Sequence, residues 1–134
     1  MPDQYLNELT GIFLLGGTAR QGRLRKLTYG MYSSGRIFLF AFPRRMLTQL
    51  WPSAPKPSVA KSYTKFGATF EPTAKGAARL VFDESSIRQF MLFDVLLHEV
   101  GHHVDREHRA DNSERYARWF ADYQHACLKE LASD

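Results

Sequence analysis

Phe90-Met91-Leu92-Phe93-Asp94-Val95-Leu96-Leu97-His98-Glu99-Val100-Gly101-His102 decides how this chain is read. The first eight residues are apolar except for Asp94. Phe90, Phe93, Leu97, Val100 and Val104 recur at helical spacing and predict the buried stripe of a long helix. His98 and His102 stand four residues apart, so their side chains share one helical face, about one turn or ~6 Å apart. Burying two imidazoles and a carboxylate is costly unless something pairs with them, and a metal ion does so. Glu99, beside the first histidine, is placed to take a proton from a water that the metal activates. Gly101 inside a helix costs about 1 kcal/mol against alanine. Its presence fits a position where another backbone or a substrate comes close.

Working outward, Ser86 and Gln89 have the spacing of a capping box and are expected to open this helix. The helix is expected to fade near Arg106–Arg109. Asp111-Asn112-Ser113 then start a second helix running to about Leu131, with Tyr116, Trp119, Phe120, Tyr123 and Cys127 as its expected buried side. Upstream, the chain reads as strands. Ile12–Leu15 is short, apolar and ended by Gly16-Gly17. Arg23–Tyr29 and Arg36–Phe42 flank Ser33-Ser34-Gly35, the signature of a hairpin. After Pro43, Arg44 to Leu50 reads as a short helix or turn. Trp51–Ser58 carries three prolines and reads as an exposed loop. Ser62–Glu71 and Ala77–Phe82 are two further strand candidates, and Ala77–Phe82 is the expected rim of a substrate cleft. The fold class is therefore α+β, in a single domain spanning residues 1–134.

Composition narrows the class. At 134 residues, with 44% hydrophobic and 13% aromatic content, the chain can bury a core. The start, Met1-Pro2-Asp3-Gln4-Tyr5, lacks a basic region followed by an apolar run, so no secretory signal is expected. No apolar stretch reaches the ~18 residues of a membrane span. The single Cys127 excludes an internal disulfide and a cysteine-rich zinc site. It fits a reducing, cytoplasmic setting. The net charge of +4 is uneven: residues 1–80 carry twelve basic against three acidic side chains, and residues 81–134 six against eleven. The basic part is dispersed and reads as a solvated face complementing the acidic C-terminal part. No nucleic-acid motif accompanies it, so no specific nucleic-acid partner is expected.

A catalytic zinc takes three protein ligands and keeps one position open. Glu114 and His108 compete for the third place. His108 lies six residues after His102, the spacing HExxHxxxxxH. Metzincins with that spacing carry a glycine where this chain has Asp105, and a methionine downstream of the third histidine, where this chain has none. Glu114 opens the second helix, and Ala117 and Ala121 on its face let that helix approach the first closely. Asp111 and Glu114 also have capping-box spacing, so Glu114 has a capping reading as well. His103 lies about 100° off the ligand face and reads as a surface or supporting group. Asp94 reads as an orienter of an imidazole or as an exposed or capping acid. His125, eleven residues after Glu114, is a candidate oxyanion stabiliser.

His98-Glu99-Val100-Gly101-His102 followed by Glu114-Arg115-Tyr116-Ala117-Arg118-Trp119-Phe120-Ala121 resembles the gluzincin pattern HExxH…ExxAxxFA. It is most similar to the minimal gluzincins and the ImmA/IrrE-like metallopeptidases. The resemblance covers roughly residues 86–125. It implies a zincin-like fold: a small twisted N-terminal sheet packed on the HExxH helix, followed by a C-terminal glutamate helix. It implies Zn2+ held by His98, His102 and Glu114, Glu99 as the catalytic general base, and a peptide or protein substrate. Larger gluzincins carry an acid four residues after the ligand glutamate, where this chain has Arg118. Two readings from other classes remain open. The YbeY endoribonuclease family uses HxxxHxxxxxH, which His98, His102 and His108 match in spacing, though that family has glycine at the position of Glu99. The other is a non-catalytic zinc domain that binds a regulatory protein.

Overall fold

The computed structural model describes residues 3–15, 29–40, 47–106 and 113–133. The architecture is α+β, with two three-stranded sheets and helices. By their contacts the described residues form two units interleaved in sequence: residues 3–15, 29–40, 91–106 and 113–133 make one, and residues 47–90 make the other.

The first unit contains the histidine motif. Its sheet is built from β1 (Gly11–Leu15), β2 (Gly30–Ser33) and β3 (Arg36–Phe40), in the order β1-β3-β2. β1 runs parallel to β3 and β2 antiparallel to it. The expected hairpin around Ser33-Ser34-Gly35 is present. Ser34 and Gly35 both have positive φ, 46° and 80°, the mirror-image turn whose twist suits a two-residue hairpin. Its first arm is Gly30–Ser33; of the expected strand Arg23–Tyr29, residues 23–28 lie outside the described residues and Tyr29 immediately precedes β2. Strand alternation buries Ile37 and Leu39 of β3.

Among the described residues this unit also holds α3 (Leu97–Val104), α4 (Ser113–Ser133), a 3-10 turn over Asp3–Leu6 and a π-helical segment over Met91–Leu96 just before α3. Val95, Leu97, Val100, Ala117, Phe120 and Ala121 are buried together with the inward face of β3. The expected stripe is only partly realised. Leu97 and Val100 are buried, but Phe93 and Val104 are half-buried, while Val95 and His103 are buried instead. A π turn holds an extra residue, so the face drifts from a 3.6-residue period at that point. The expected buried side of α4 is also corrected. Trp119 and Tyr123 are more than half exposed and stack on one another at 5.5 Å. Ala117, Phe120, Ala121, Gln124 and His125 face inward. The small residues set the face because they admit α3: a Cβ added at Gly101 would lie 2.8 Å from Ala117 Cα.

The second unit has β4 (Thr48–Trp51), β5 (Thr69–Pro72) and β6 (Ala78–Val81) in the antiparallel order β4-β6-β5. It also contains α1 (Pro57–Thr64) and α2 (Glu84–Phe90). Three expectations change here. Thr48–Trp51 is a strand rather than a helix or turn, and residues 44–46 lie outside the described set. The expected strand over Ser62–Glu71 is split: Ser62–Thr64 finish α1 and only Thr69–Pro72 is extended. Pro57 explains this, because its fixed φ suits the first turn of a helix, and Gly67 with φ +100° turns the chain out of it. The expected loop over Trp51–Ser58 is shorter than predicted, since Trp51 pairs with Ala78 and Pro57 begins α1. Trp51, Tyr63, Phe70, Phe82 and Phe90 pack ring against ring in this unit, at centroid separations of 5.2 to 6.4 Å.

The cap of α2 also differs from expectation. The reciprocal pair is Asp83 with Ser86, not Ser86 with Gln89. Ser86 N donates to Asp83 Oδ1 at 2.7 Å and Asp83 N donates to Ser86 Oγ at 2.8 Å. Hydrogen bonding from Ser86 holds the Asp83 carboxyl below its ordinary 3.8. A depressed carboxyl contributes stability above its ordinary range and loses it as pH falls through the lowered value. Asp83→Ala is therefore expected to lower the thermal midpoint at pH 7. Thermal melts across pH check this: the deficit relative to the parent should shrink as pH drops below about 3.8.

Candidate metal centre

The helical spacing on α3 does what the sequence predicts. The His98 and His102 rings lie 4.8 Å apart, centroid to centroid, at 82°. Their Nε2 atoms are 3.1 Å apart. Glu114, in the first turn of α4, closes the group: its Oε2 is 3.1 Å from His98 Nε2 and its Oε1 is 2.9 Å from His102 Nε2. Among the described residues these three form a group able to hold a metal ion.

The donor chemistry fits a zinc-sized divalent ion. Ligands about 2.0–2.1 Å from a tetrahedral zinc stand roughly 3.3 Å from one another. The His98 and His102 Nε2 atoms, 3.1 Å apart, are close to that value, and Glu114 sets a separate oxygen 3.1 and 2.9 Å from each. Two imidazoles and a carboxylate are donor types that a divalent cation accepts, and the three groups lie within reach of one ion. Burial, ahead of the neighbouring charges, pushes the His98 pKa down. The neutral, ligand-ready imidazole is thereby favoured. His102 Nδ1 lies 2.8 Å from Ser113 Oγ. With its proton on Nδ1, His102 donates to Ser113 and keeps the Nε2 lone pair free.

Glu99 is only 8% exposed. Burial, and then the negative charge of Glu114, push its carboxyl up to about 7. It lines a cleft of about 320 Å3 together with Gly30, Asp94, His98, Glu114 and Arg118. Gly30 of β2 makes room for it. A Cβ at that position would lie 2.7 Å from Val95 Cγ1 and 3.3 Å from Glu99 Oε1. Gly30→Ala is expected to destabilise the fold by about 1–3 kcal/mol through overpacking and to displace Glu99. Urea unfolding of the variant measures the first effect and a crystal structure the second.

His103 is fully buried rather than at the surface. Gly35 N donates to Tyr32 Oη at 3.0 Å, Tyr32 Oη lies 2.7 Å from His103 Nδ1, and His103 Nε2 lies 2.7 Å from the Asn7 carbonyl. The Nε2–H tautomer satisfies every partner: Tyr32 donates to Nδ1 and Nε2–H donates to Asn7. Asp94 lies in the cleft lining. His125 is buried, stacks on Phe93 at 4.9 Å, and is not among the cleft-lining residues. His108 and Asp111 lie outside the described residues.

The expected cleft rim is corrected. Ala78–Val81 is the central strand of its sheet, paired with β4 on one side and β5 on the other. Both backbone edges are used, so an extended peptide cannot add there. The strand that reaches the cleft is β2, through Gly30. Ser113, Gly30 and Arg118 were not singled out from sequence as parts of the site. Ser113 had a visible signal, its place at the start of the second helix. No protein-family model, curated protein or solved structure matches this chain.

Proposed function

We propose that the chain is a zinc-dependent peptidase of zincin-like type, with His98, His102 and Glu114 as metal ligands and Glu99 as general base. The observation that carries this reading is the clustering of the His98 and His102 Nε2 atoms with the Glu114 carboxylate, one ligand atom from each lying within 4.8 Å of the others, beside the buried carboxyl of Glu99. When bound, zinc supplies a Lewis acid that polarises a carbonyl and makes a water acidic enough to ionise near neutral pH.

The chain's own residues supply the rest. Ser113 fixes the His102 ring. Glu99 accepts the proton of the attacking water and returns it to the departing amine, a role suited to a carboxyl that lines the cleft next to the metal-binding histidine. β2 is an edge strand among the described residues, and its Gly30 lies in the cleft. An extended peptide can pair with that edge and lay its backbone beside Glu99. Among the described residues no helix is long and apolar enough to cross a membrane.

The test is an assay of the zinc-loaded chain against a mixture of unmodified peptides and against RNA. Peptide cleavage that stops with chelator and returns with zinc is the expected result. Chelator-sensitive RNA cleavage with intact peptides would overturn the reading in favour of a nuclease. Stoichiometric zinc without turnover of either would favour a non-catalytic zinc domain.

A further inference from the structure

We infer that Arg118 anchors the terminal carboxylate of the substrate, so that the cleft acts on the last peptide bond of a chain. The inference rests on the zinc peptidase reading and names its substrate class. Arg118 lies four residues after Glu114 on α4, so the two side chains share a face about one turn apart. Both line the same cleft. The other titratable side chains lining that cleft are His98 and the acids Asp94, Glu99 and Glu114, besides Tyr29. Glu114 directs one oxygen to each histidine. The ion pairs among the described residues do not include Arg118. An exposed guanidinium is thus held beside the proposed metal ligands, where the resemblance places an acid in larger gluzincins.

The dimensions suit a chain end. The carboxylate carbon of a C-terminal residue stands three bonds from the scissile carbonyl carbon, within about 4 Å. An arginine one helical turn from a metal ligand can reach it and grip it bidentately. The cleft volume, about 320 Å3, lies near the lower end of the roughly 300–1,000 Å3 usual for ligand sites, which suits one or two residues. The reaction consumes one water. Its oxygen bonds to the carbonyl carbon, the C–N bond breaks, and the proton accepted by Glu99 goes to the departing amine. The products are a shortened peptide and a free amino acid.

The test uses the zinc-loaded full chain and two probes: phenylalanine capped at nitrogen by a hydroxamate, with a free carboxylate, and the same molecule as its carboxamide. Binding is measured by calorimetry for the parent, Arg118→Gln and Arg118→Lys. The acid is expected to bind the parent about 10- to 100-fold more tightly than the amide, the range for a hydrogen bond to a charged group. That preference should vanish in Arg118→Gln and persist in reduced form in Arg118→Lys. Equal binding of both probes to the parent overturns the proposal. So does an equal weakening of both in Arg118→Gln, which would place the guanidinium on the carbonyl oxygen instead. Failure of both probes to bind a chain that holds zinc also overturns it, whereas a chain that holds no zinc fails the peptidase reading itself.

Discussion

Replacing Glu99 with glutamine is expected to leave zinc bound and to lower peptide hydrolysis by about 10²- to 10⁴-fold, the usual contribution of a positioned acid–base group. Glutamine keeps the size and hydrogen-bonding reach of the side chain and removes only its basicity. The substitution also removes a buried charge. In the metal-free chain, folding raises the Glu99 carboxyl from an ordinary 4.5 to about 7. The folded state then binds more protons than the unfolded state between those values, so stability falls as pH rises through that window. Glu99→Gln abolishes this dependence, and the metal-free variant should be more stable than the parent above pH 7. Zinc content, steady-state rates and urea titrations at pH 5 and 8 read the three effects. A variant that cleaves as fast as the parent would remove Glu99 from the mechanism.

The second large effect is expected at Gly101. Alanine in a helix interior gains about 1 kcal/mol over glycine from propensity alone. Here the added Cβ would meet Ala117 Cα at 2.8 Å, Ala117 O at 3.1 Å and Phe120 Cβ at 3.2 Å. Two of those atoms are backbone, so the whole of α4 has to move, and overpacking of this kind costs about 1–3 kcal/mol. The clash is therefore expected to outweigh the propensity gain. Because α3 carries both histidines and α4 carries Glu114, any separation of the helices also spreads the ligands. Gly101→Ala should lower thermal stability and weaken zinc binding by about 10- to 100-fold, the scale seen when a supporting contact of a metal site is lost. Gly101→Val should do so more strongly. A rise in stability with unchanged zinc affinity would show that the helices do not need this close approach.

The parts of the structure that were legible in sequence are those fixed by local chemistry. Ser34-Gly35 announces a hairpin turn because Gly35 takes positive φ without steric cost and short polar residues flank it. His98 and His102 share a face because a helix repeats every 3.6 residues. Gly101, Ala117 and Ala121 announce a close helix contact because nothing larger fits between two backbones. The misreadings have equally specific causes. Trp119 and Tyr123 are large and apolar, yet the inward face of α4 belongs to smaller neighbours that let α3 in. The π segment at Met91–Leu96 breaks the period used to place Phe93 and Val104. Pro57 was read as part of a loop when it serves as the first residue of α1. The surface reading of His103, one of the two offered, failed because its partners, Tyr32 and the Asn7 carbonyl, lie 71 and 96 residues away in sequence. Whether β6 had a free edge depended on its two neighbours, β4 and β5, and no single strand carries that information.

The central claim is a zinc ion held by two histidines and one glutamate. X-ray absorption spectroscopy of the zinc-loaded chain, with metal analysis of His98→Ala, His102→Ala and Glu114→Ala, tests it most directly. The expected result is one zinc per chain with two imidazole nitrogens and a carboxylate oxygen at about 2.0–2.1 Å, and loss of the metal in each variant. Undiminished zinc in His98→Ala, or a three-imidazole shell that survives Glu114→Ala and brings in His108, would contradict it.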